Sequence, residues 1–255
     1  MRALVLSDIH ANLEALEACL AAAPQHDVVA NLGDIVGYGA NPNEVAERSR
    51  QLSRVLVRGN HDRACTGLGG IEQFNPIAAL AAMWTQQALT PENLQWLRTL
   101  PAGPEALPVN GGEQRAICVH GSPLDEDEYL ISLQDAMDVL MRSNIHLTFF
   151  GHTHLQGGFA LGAAQGAAVL KPPFRSRDEA ESYTLTLESE TRYLINPGSV
   201  GQPRDGDWRA AFALFDSSQA TLTYYRVPYD IRTAQEKIRA ANLPPRLATR
   251  LQDGK

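Results

Sequence analysis

The chain has 255 residues, enough for one large domain or two small ones. Its 44% hydrophobic and 20% charged composition is that of an ordinary soluble globular protein, with no apolar run of membrane-spanning length and no N-terminal apolar stretch long enough for a secretory signal. A net charge of −7 sets a field that repels duplex nucleic acid, and the three widely spaced cysteines (Cys19, Cys65 and Cys118) form no zinc-type pair and read as buried thiols of a reducing cytoplasm.

Leu4-Val5-Leu6-Ser7-Asp8-Ile9-His10 is an apolar run of strand length that ends in a carboxylate and an imidazole. Side chains alternate along an extended segment, so Asp8 and His10 are expected to point the same way. Asn12 then caps a predicted helix that runs to about Ala23, with Leu13, Leu16 and Leu20 on one face and Pro24 as its stop. Residues 27–32 read as a buried strand ending in Gly33-Asp34. Asn41-Pro42-Asn43-Glu44 offers an N-cap, a proline at the first helical position and a glutamate placed for a capping box, opening a helix to about Leu52. The third strand, residues 54–58, ends in Gly59-Asn60-His61-Asp62. This β-α-β-α-β rhythm implies a parallel sheet with right-handed crossovers.

Residues 63–108 break the rhythm. After a glycine-rich loop, Asn75-Pro76 starts a helix to about Leu89 and Thr90-Pro91 starts another. The stretch is expected to be a helical insertion over the sheet, with Trp84 and Trp96 spent on packing. A strand over residues 114–119 ends in His120-Gly121-Ser122, and the acidic loop 125–128 reads as solvated. Ser132 opens a helix to about Arg142, and a strand over 147–150 ends in Gly151-His152-Thr153-His154. Six short strands follow, over 157–161, 167–170, 183–187, 192–195, 211–215 and 221–225. A helical tail is expected from about residue 230, with its helix over 233–241, and Pro244-Pro245 leads into a polar tail. The expectation is one α/β domain over residues 1–255, its second, more antiparallel sheet built from the C-terminal half.

Five predicted strands end in metal-type donors: Asp8 and His10, Asp34, Asn60 and His61, His120, and His152 with His154. Five of the seven histidines lie there, leaving His26 and His146 as surface or packing residues. Without His61 the set is two carboxylates, four imidazoles and one amide oxygen. If one carboxylate bridges, that makes four protein bonds to each of two ions, with positions left for water and substrate. Nitrogen and oxygen donors without thiolate suit manganese, iron, cobalt, nickel or zinc.

Ser7-Asp8-Ile9-His10, Gly33-Asp34-Ile35-Val36, Gly59-Asn60-His61-Asp62, His120-Gly121 and Gly151-His152-Thr153-His154 resemble, in order, the five motifs of the calcineurin-like metallophosphoesterases. A finer similarity, through residues 37–42 and 196–204, is to the bacterial YfcE-like and diadenosine-tetraphosphatase-like branch. The resemblance implies a four-layer α-β-β-α sandwich of two mixed sheets flanked by helices, holding two divalent transition-metal ions, manganese first among them. Carried over by position, Asp8, His10 and His154 would hold one ion, Asn60, His120 and His152 the other, and Asp34 would bridge. His61 would face the phosphate as general acid, with Asp62 orienting its ring.

The chemistry of such a site is consistent. Two cations about 3.5–4 Å apart neutralise an anionic ester and lower the pKa of a shared water, whose hydroxide is expected to attack phosphorus in line with the leaving oxygen. Arg204 is a candidate clamp for substrate phosphate beside Asn60. Arg58 and Arg63 carry the same ambiguity between a clamp and a solvated residue. The expected activity is hydrolysis of small phosphoesters, phosphodiester and nucleotide-type substrates ahead of phosphomonoesters. The rival reading is a non-catalytic scaffold of the same fold that binds protein. A homo-oligomer is compatible with the sequence.

Overall fold

The computed structural model describes residues 1–108 and 116–255. Of the strand expected over 114–119, residues 114 and 115 therefore lie outside the described residues. The elements run, in chain order, β1 (Arg2–Leu6), α1 (Leu13–Ala22), β2 (Val28–Asn31), α2 (Pro42–Leu52), β3 (Val55–Leu56), α3 (Asn60–Cys65), α4 (Pro76–Ala88), α5 (Pro91–Arg98), β4 (Glu105–Leu107) and β5 (Ala116–Cys118). They continue with α6 (Leu133–Arg142), β6 (Leu147–Phe149), β7 (Gly157–Gly162), β8 (Gly166–Leu170), β9 (Glu181–Thr186), β10 (Thr191–Asn196), β11 (Ala210–Asp216), β12 (Thr221–Val227), α7 (Ile231–Ala240) and α8 (Pro245–Asp253).

Among the described residues the strands form two mixed sheets, ordered β3-β2-β1-β11-β12-β9 and β4-β5-β6-β10-β7-β8. β1, β2 and β3 are parallel, and β11 pairs antiparallel with β1 (Ala3 opposite Phe215, Val5 opposite Ala213). In the other sheet β5, β6 and β10 are parallel and β7 runs against β10. The C-terminal strands thus do not make a sheet of their own. They are shared between the two, because β11 and β12 extend the first sheet from its β1 edge and β10 extends the second from β6.

Three apolar clusters define the layers. Val5, Ala30, Leu32 and Phe215 of the first sheet pack against Cys118, Phe149 and Ile195 of the second. Behind the first sheet, Leu4, Leu6 and Phe212 meet Leu16 and Cys19 of α1, Val45 of α2, Ile238 of α7 and Leu247 and Leu251 of α8. Behind the second, Phe150, Phe159 and Leu194 meet Ala136, Val139 and Leu140 of α6. The order is therefore helices, sheet, sheet, helix. Residues Ala3 to Leu6 of β1 are buried on both faces, as befits a parallel strand covered on both sides.

Three local expectations are corrected. The polar tail after Pro244-Pro245 is the helix α8, whose buried Leu247, Ala248 and Leu251 recur at helical spacing behind a proline at its first position. The stretch expected to be a helical insertion also contributes β4, an edge strand of only three residues paired with β5. The capping box at α2 is not made: Asn41 caps nothing with its side chain and instead donates to Glu44 Oε1 at 2.9 Å. Trp84 and Trp96 pack half-buried against the core, and His26 and His146 bond to nearby backbone carbonyls.

Candidate metal centre

The loops after β1, β2, β3, β5 and β6 meet at the carboxyl ends of their strands, the usual ligand edge of parallel α/β sheets. β1 ends at Leu6, so Asp8 and His10 are not on an extended segment as expected. Both have left-handed backbone (φ +53° and +51°), as do Asp34 (+53°), His152 (+64°) and His154 (+59°). Left-handed φ at a non-glycine residue costs about 1–3 kcal/mol and persists only where the surroundings enforce it. Here the enforcement is a lattice of backbone bonds: Asp8 N–H donates to Gly33 O (3.0 Å), His10 N–H to Asp34 O (2.9 Å), Gly201 N–H to Asp8 O (3.0 Å) and Gly151 N–H to His120 O (2.8 Å). Asn196, at the end of β10, donates to Gly151 O and Thr153 Oγ1, and Ser199 donates to Asp8 O at 2.7 Å. The 196–200 turn thus ties two donor loops together.

The seven residues expected as ligands are brought together, in two groups that share Asp34. In the first, His154 Nε2 lies 3.3 Å from Asp8 Oδ1, 3.1 Å from His10 Nε2, and His10 Nε2 lies 3.5 Å from Asp34 Oδ2. In the second, His120 Nε2 lies 3.5 Å from the same Asp34 Oδ2, 3.1 Å from His152 Nδ1 and 3.2 Å from Asn60 Oδ1. Asp8, His10, Asp34 and His154 form one metal-type cluster and Asp34, His120 and His152 another. All are buried.

Each imidazole is aimed by the bond its far nitrogen makes. Nδ1–H of His10, His120 and His154 donates to the carbonyls of Val36, Leu32 and Gln202 (3.3, 2.8 and 2.6 Å), which presents Nε2 to the centre. His152 is reversed: Nε2–H donates to Asp127 O (3.2 Å) and Nδ1 faces inward. Asp8 Oδ2 accepts from Ser7 Oγ and the His152 N–H, leaving Oδ1 buried without a hydrogen-bond partner. Asp34 Oδ1 accepts the His61 N–H at 2.8 Å, leaving Oδ2 for the two halves.

The protonation states suit a cation. Burial would raise the Asp34 carboxyl, but its histidine neighbours, the charged His120 first among them, hold it well below the carboxylate range. Burial lowers His10, and takes His152 down to about 3, so both rings are neutral and keep a lone pair to donate. His120 goes the other way: burial opposes protonation, yet Asp34 lifts it to about 10, so ligation by His120 displaces a proton.

Two expectations about neighbours change. Asp62 does not orient the His61 ring. Its two carboxylate oxygens accept the Val36 and Gly59 N–H groups (3.1 and 3.0 Å), stitching the loop after β2 to the start of α3. His61 instead lies between Tyr38 and Phe74 (ring centroids 4.3 and 4.4 Å away) and edge-on to His10, with Nδ1 buried and unpartnered. The acidic loop is not simply solvated: Arg58 pairs with Glu126 at 2.9 Å, and Arg63 with Asp127 at 2.6 Å and with Glu126. Arg58 and Arg63 are therefore committed to carboxylates, and the loop they pin supplies the carbonyl that aims His152.

Arg204 lies on the rim. Its N–H donates to His154 O, its Nη2 donates to Gln202 Oε1 at 3.2 Å, and its guanidinium carbon sits 5.9 Å from the centre of the Tyr38 ring. Tyr38 and Tyr129, the latter tilted against His152 with ring centroids 3.8 Å apart, were not singled out from sequence. Tyr38 had a signal, a lone aromatic between two glycines; Tyr129 had none.

A model of the calcineurin-like phosphoesterase superfamily domain matches residues 1–220. An uncharacterized protein of Methanocaldococcus jannaschii is 37% identical over 249 residues, spanning 97% of this chain and 96% of that protein. The crystal structure of a metallophosphoesterase from Sphaerobacter thermophilus is similar with a TM-score of 0.82 at 40% identity, over 100% of this chain and 99% of that one. A hypothetical protein from Pyrococcus horikoshii OT3 shares the fold with a TM-score of 0.75 at 20% identity, over 100% and 98% of the two chains.

Proposed function

This chain belongs to the calcineurin-like phosphoesterase superfamily and is a metal-dependent phosphoester hydrolase; from that premise we propose that it cleaves small phosphodiesters, nucleotide-derived ones included, at a two-metal centre with His61 as general acid. The observation that carries the reading is the shared aspartate: Asp34 Oδ2 stands 3.5 Å from a histidine nitrogen of each donor group. The donor chemistry fits two cations. A carboxylate oxygen buried without a partner, as Asp8 Oδ1 is, costs about 1–3 kcal/mol or more, and a metal ion satisfies it. Asp8, His10, Asp34 and His154 would hold one ion, and Asp34, Asn60, His120 and His152 the other. The absence of thiolate among them suits manganese, iron, zinc, nickel or cobalt alike, and the family resemblance puts manganese first.

When bound, two divalent ions supply charge against the phosphate and an acidified water. The chain's own groups do the rest. The outer bonds of the histidines hold the donors rigid. His61, clasped by Tyr38 and Phe74 and anchored through its N–H to Asp34, donates a proton to the leaving oxygen, a role that typically contributes about 10²–10⁴-fold. Arg204 steadies a substrate phosphate from the rim. The preference for diester over monoester follows family analogy, and a phosphomonoesterase would use the same groups. The three cysteines are free and buried, in keeping with a reducing cytoplasm, and no helix among the described residues is long and apolar enough to cross a membrane.

The test is a phosphoester panel against several divalent metals. Chelated protein should be inert on bis(p-nitrophenyl) phosphate and p-nitrophenyl phosphate, and Mn²⁺ should restore turnover, faster on the diester. Fully loaded protein that hydrolyses neither compound would end this reading.

A further inference from the structure

We propose that Arg204 and Arg250 form an anion subsite beside the metal centre, and that the substrate carries a second phosphate, beyond the one cleaved, held between their guanidiniums. The inference rests on the phosphoesterase reading above and deepens it. It starts from Tyr38, whose own backbone is left-handed (φ +65°) and whose ring contacts His10 at 4.7 Å and His61 at 4.3 Å between centroids. Two guanidiniums approach that same ring: Arg204 at 5.9 Å and Arg250 at 5.8 Å. Each contact is a favourable cation–π pair, but together they bring like charges to one small surface.

Among the described residues no aspartate or glutamate side chain lies within 4 Å of either guanidinium. Arg204 donates from Nη2 to the neutral Gln202, and its Nε is buried without a partner among the described residues. Arg250 donates from Nε to Lys255 O and has no other side-chain bond among the described residues. The strain shows in Arg250, whose acidity rises (pKa down to about 10) through burial and then through the charge of Arg204. Contrast Arg58 and Arg63, a few residues from the same centre, whose guanidiniums each meet a carboxylate of the acidic loop. An arginine couple with no aspartate or glutamate partner among the described residues, and with an orphaned donor one aromatic ring from two catalytic-centre histidines, is suited to an anion, and the guanidinium fork suits phosphate.

The couple is held in place. Arg250 is on α8, which is docked through Leu247, Ala248 and Leu251, through Gln235 Nε2 donating to Ala248 O, and through Gly206 N–H donating to Gly254 O at 2.9 Å. The last bond joins the end of α8 to the loop that carries Arg204. Arg250 lies beyond residue 220, where the family match ends, and so outside the five donor motifs.

The test compares adenosine 5′-diphosphate with adenosine 5′-monophosphate as competing ligands of Mn²⁺-saturated protein, with bis(p-nitrophenyl) phosphate as the reporter reaction. Wild type should bind the diphosphate at least tenfold more tightly. Arg250→Gln should erase that gap at an unchanged melting temperature, and Arg250→Lys, which keeps the charge and loses the fork, should keep part of it. Calorimetric binding of the two nucleotides gives the same gap without turnover. If the two bind wild type alike, or the gap survives in Arg250→Gln, the subsite is wrong even while hydrolysis of the reporter upholds the phosphoesterase reading. If the gap is present and the reporter is not cleaved, the subsite stands and the reaction assignment falls.

Discussion

Gly59→Ala is the smallest change that should disable the centre. Gly59 has ordinary extended backbone (φ −92°, ψ 170°), so alanine brings no conformational strain of its own. Its cost is steric. A Cβ built at Gly59 falls 2.0 Å from Asp34 Oδ1 and 2.3 Å from Asp34 N, where ordinary contact begins at 3.4 Å. A side-chain rotation cannot relieve both overlaps, because one of the two atoms is backbone. The segment bearing Asp34 must therefore withdraw by about 1 Å or more from β3, taking Oδ2 away from His10 and His120 and loosening the bond to the His61 N–H. Misplacement by about 1 Å costs about 10²-fold in rate. Overpacking of this kind costs about 1–3 kcal/mol, and at about 2–4 °C per kcal/mol for a chain of this size the melting temperature should fall by several degrees. Circular dichroism should show a folded protein, steady-state kinetics a loss of about 10²-fold, and metal analysis weakened loading. A variant with wild-type melting temperature, two bound metals and kcat/KM within threefold of wild type would refute the reasoning about Asp34.

His61→Ala should lower kcat by about 10²–10⁴-fold while both metals stay bound, as elemental analysis of the purified variant would report; loss of metal would instead make His61 a ligand. Arg63→Gln should free the 125–128 loop and with it the carbonyl that aims His152. Losing such an outer partner costs about 10–100-fold in metal affinity, so titration with Mn²⁺ should show one of two sites weakened by at least tenfold. Unchanged affinity at both sites would mean that the loop only decorates the rim.

The donors were legible in the sequence because each follows a short apolar strand and because five of seven histidines gather at those ends. The means of their convergence was not. Strand alternation put Asp8 and His10 on one side for the wrong reason: the chain leaves β1 at Leu6 and turns through left-handed residues whose strain is set by partners more than twenty positions away, such as Gly33 and Gly201. Asp62 next to His61 suggested a carboxylate–imidazole pair, but two backbone N–H groups of Val36 and Gly59 compete for the same oxygens and win. Arg58, Arg63 and the acidic loop were all visible, and only the fold could show that they neutralise one another. The helix that carries Arg250 was missed because its polar composition hid a regular Leu247, Ala248, Leu251 spacing, which the proline before it could have exposed. Local patterns thus identified the residues, and long-range bonds fixed what each of them faces.

The central claim is that one aspartate joins two ions. Crystals grown with Mn²⁺ and measured at the manganese absorption edge test it most directly, because anomalous scattering counts the ions and locates them. Two peaks per chain should flank Asp34 Oδ2, one within bonding distance of Asp8, His10 and His154 and the other of Asn60, His120 and His152. A single peak, or two with Asp34 bound to only one, would contradict it.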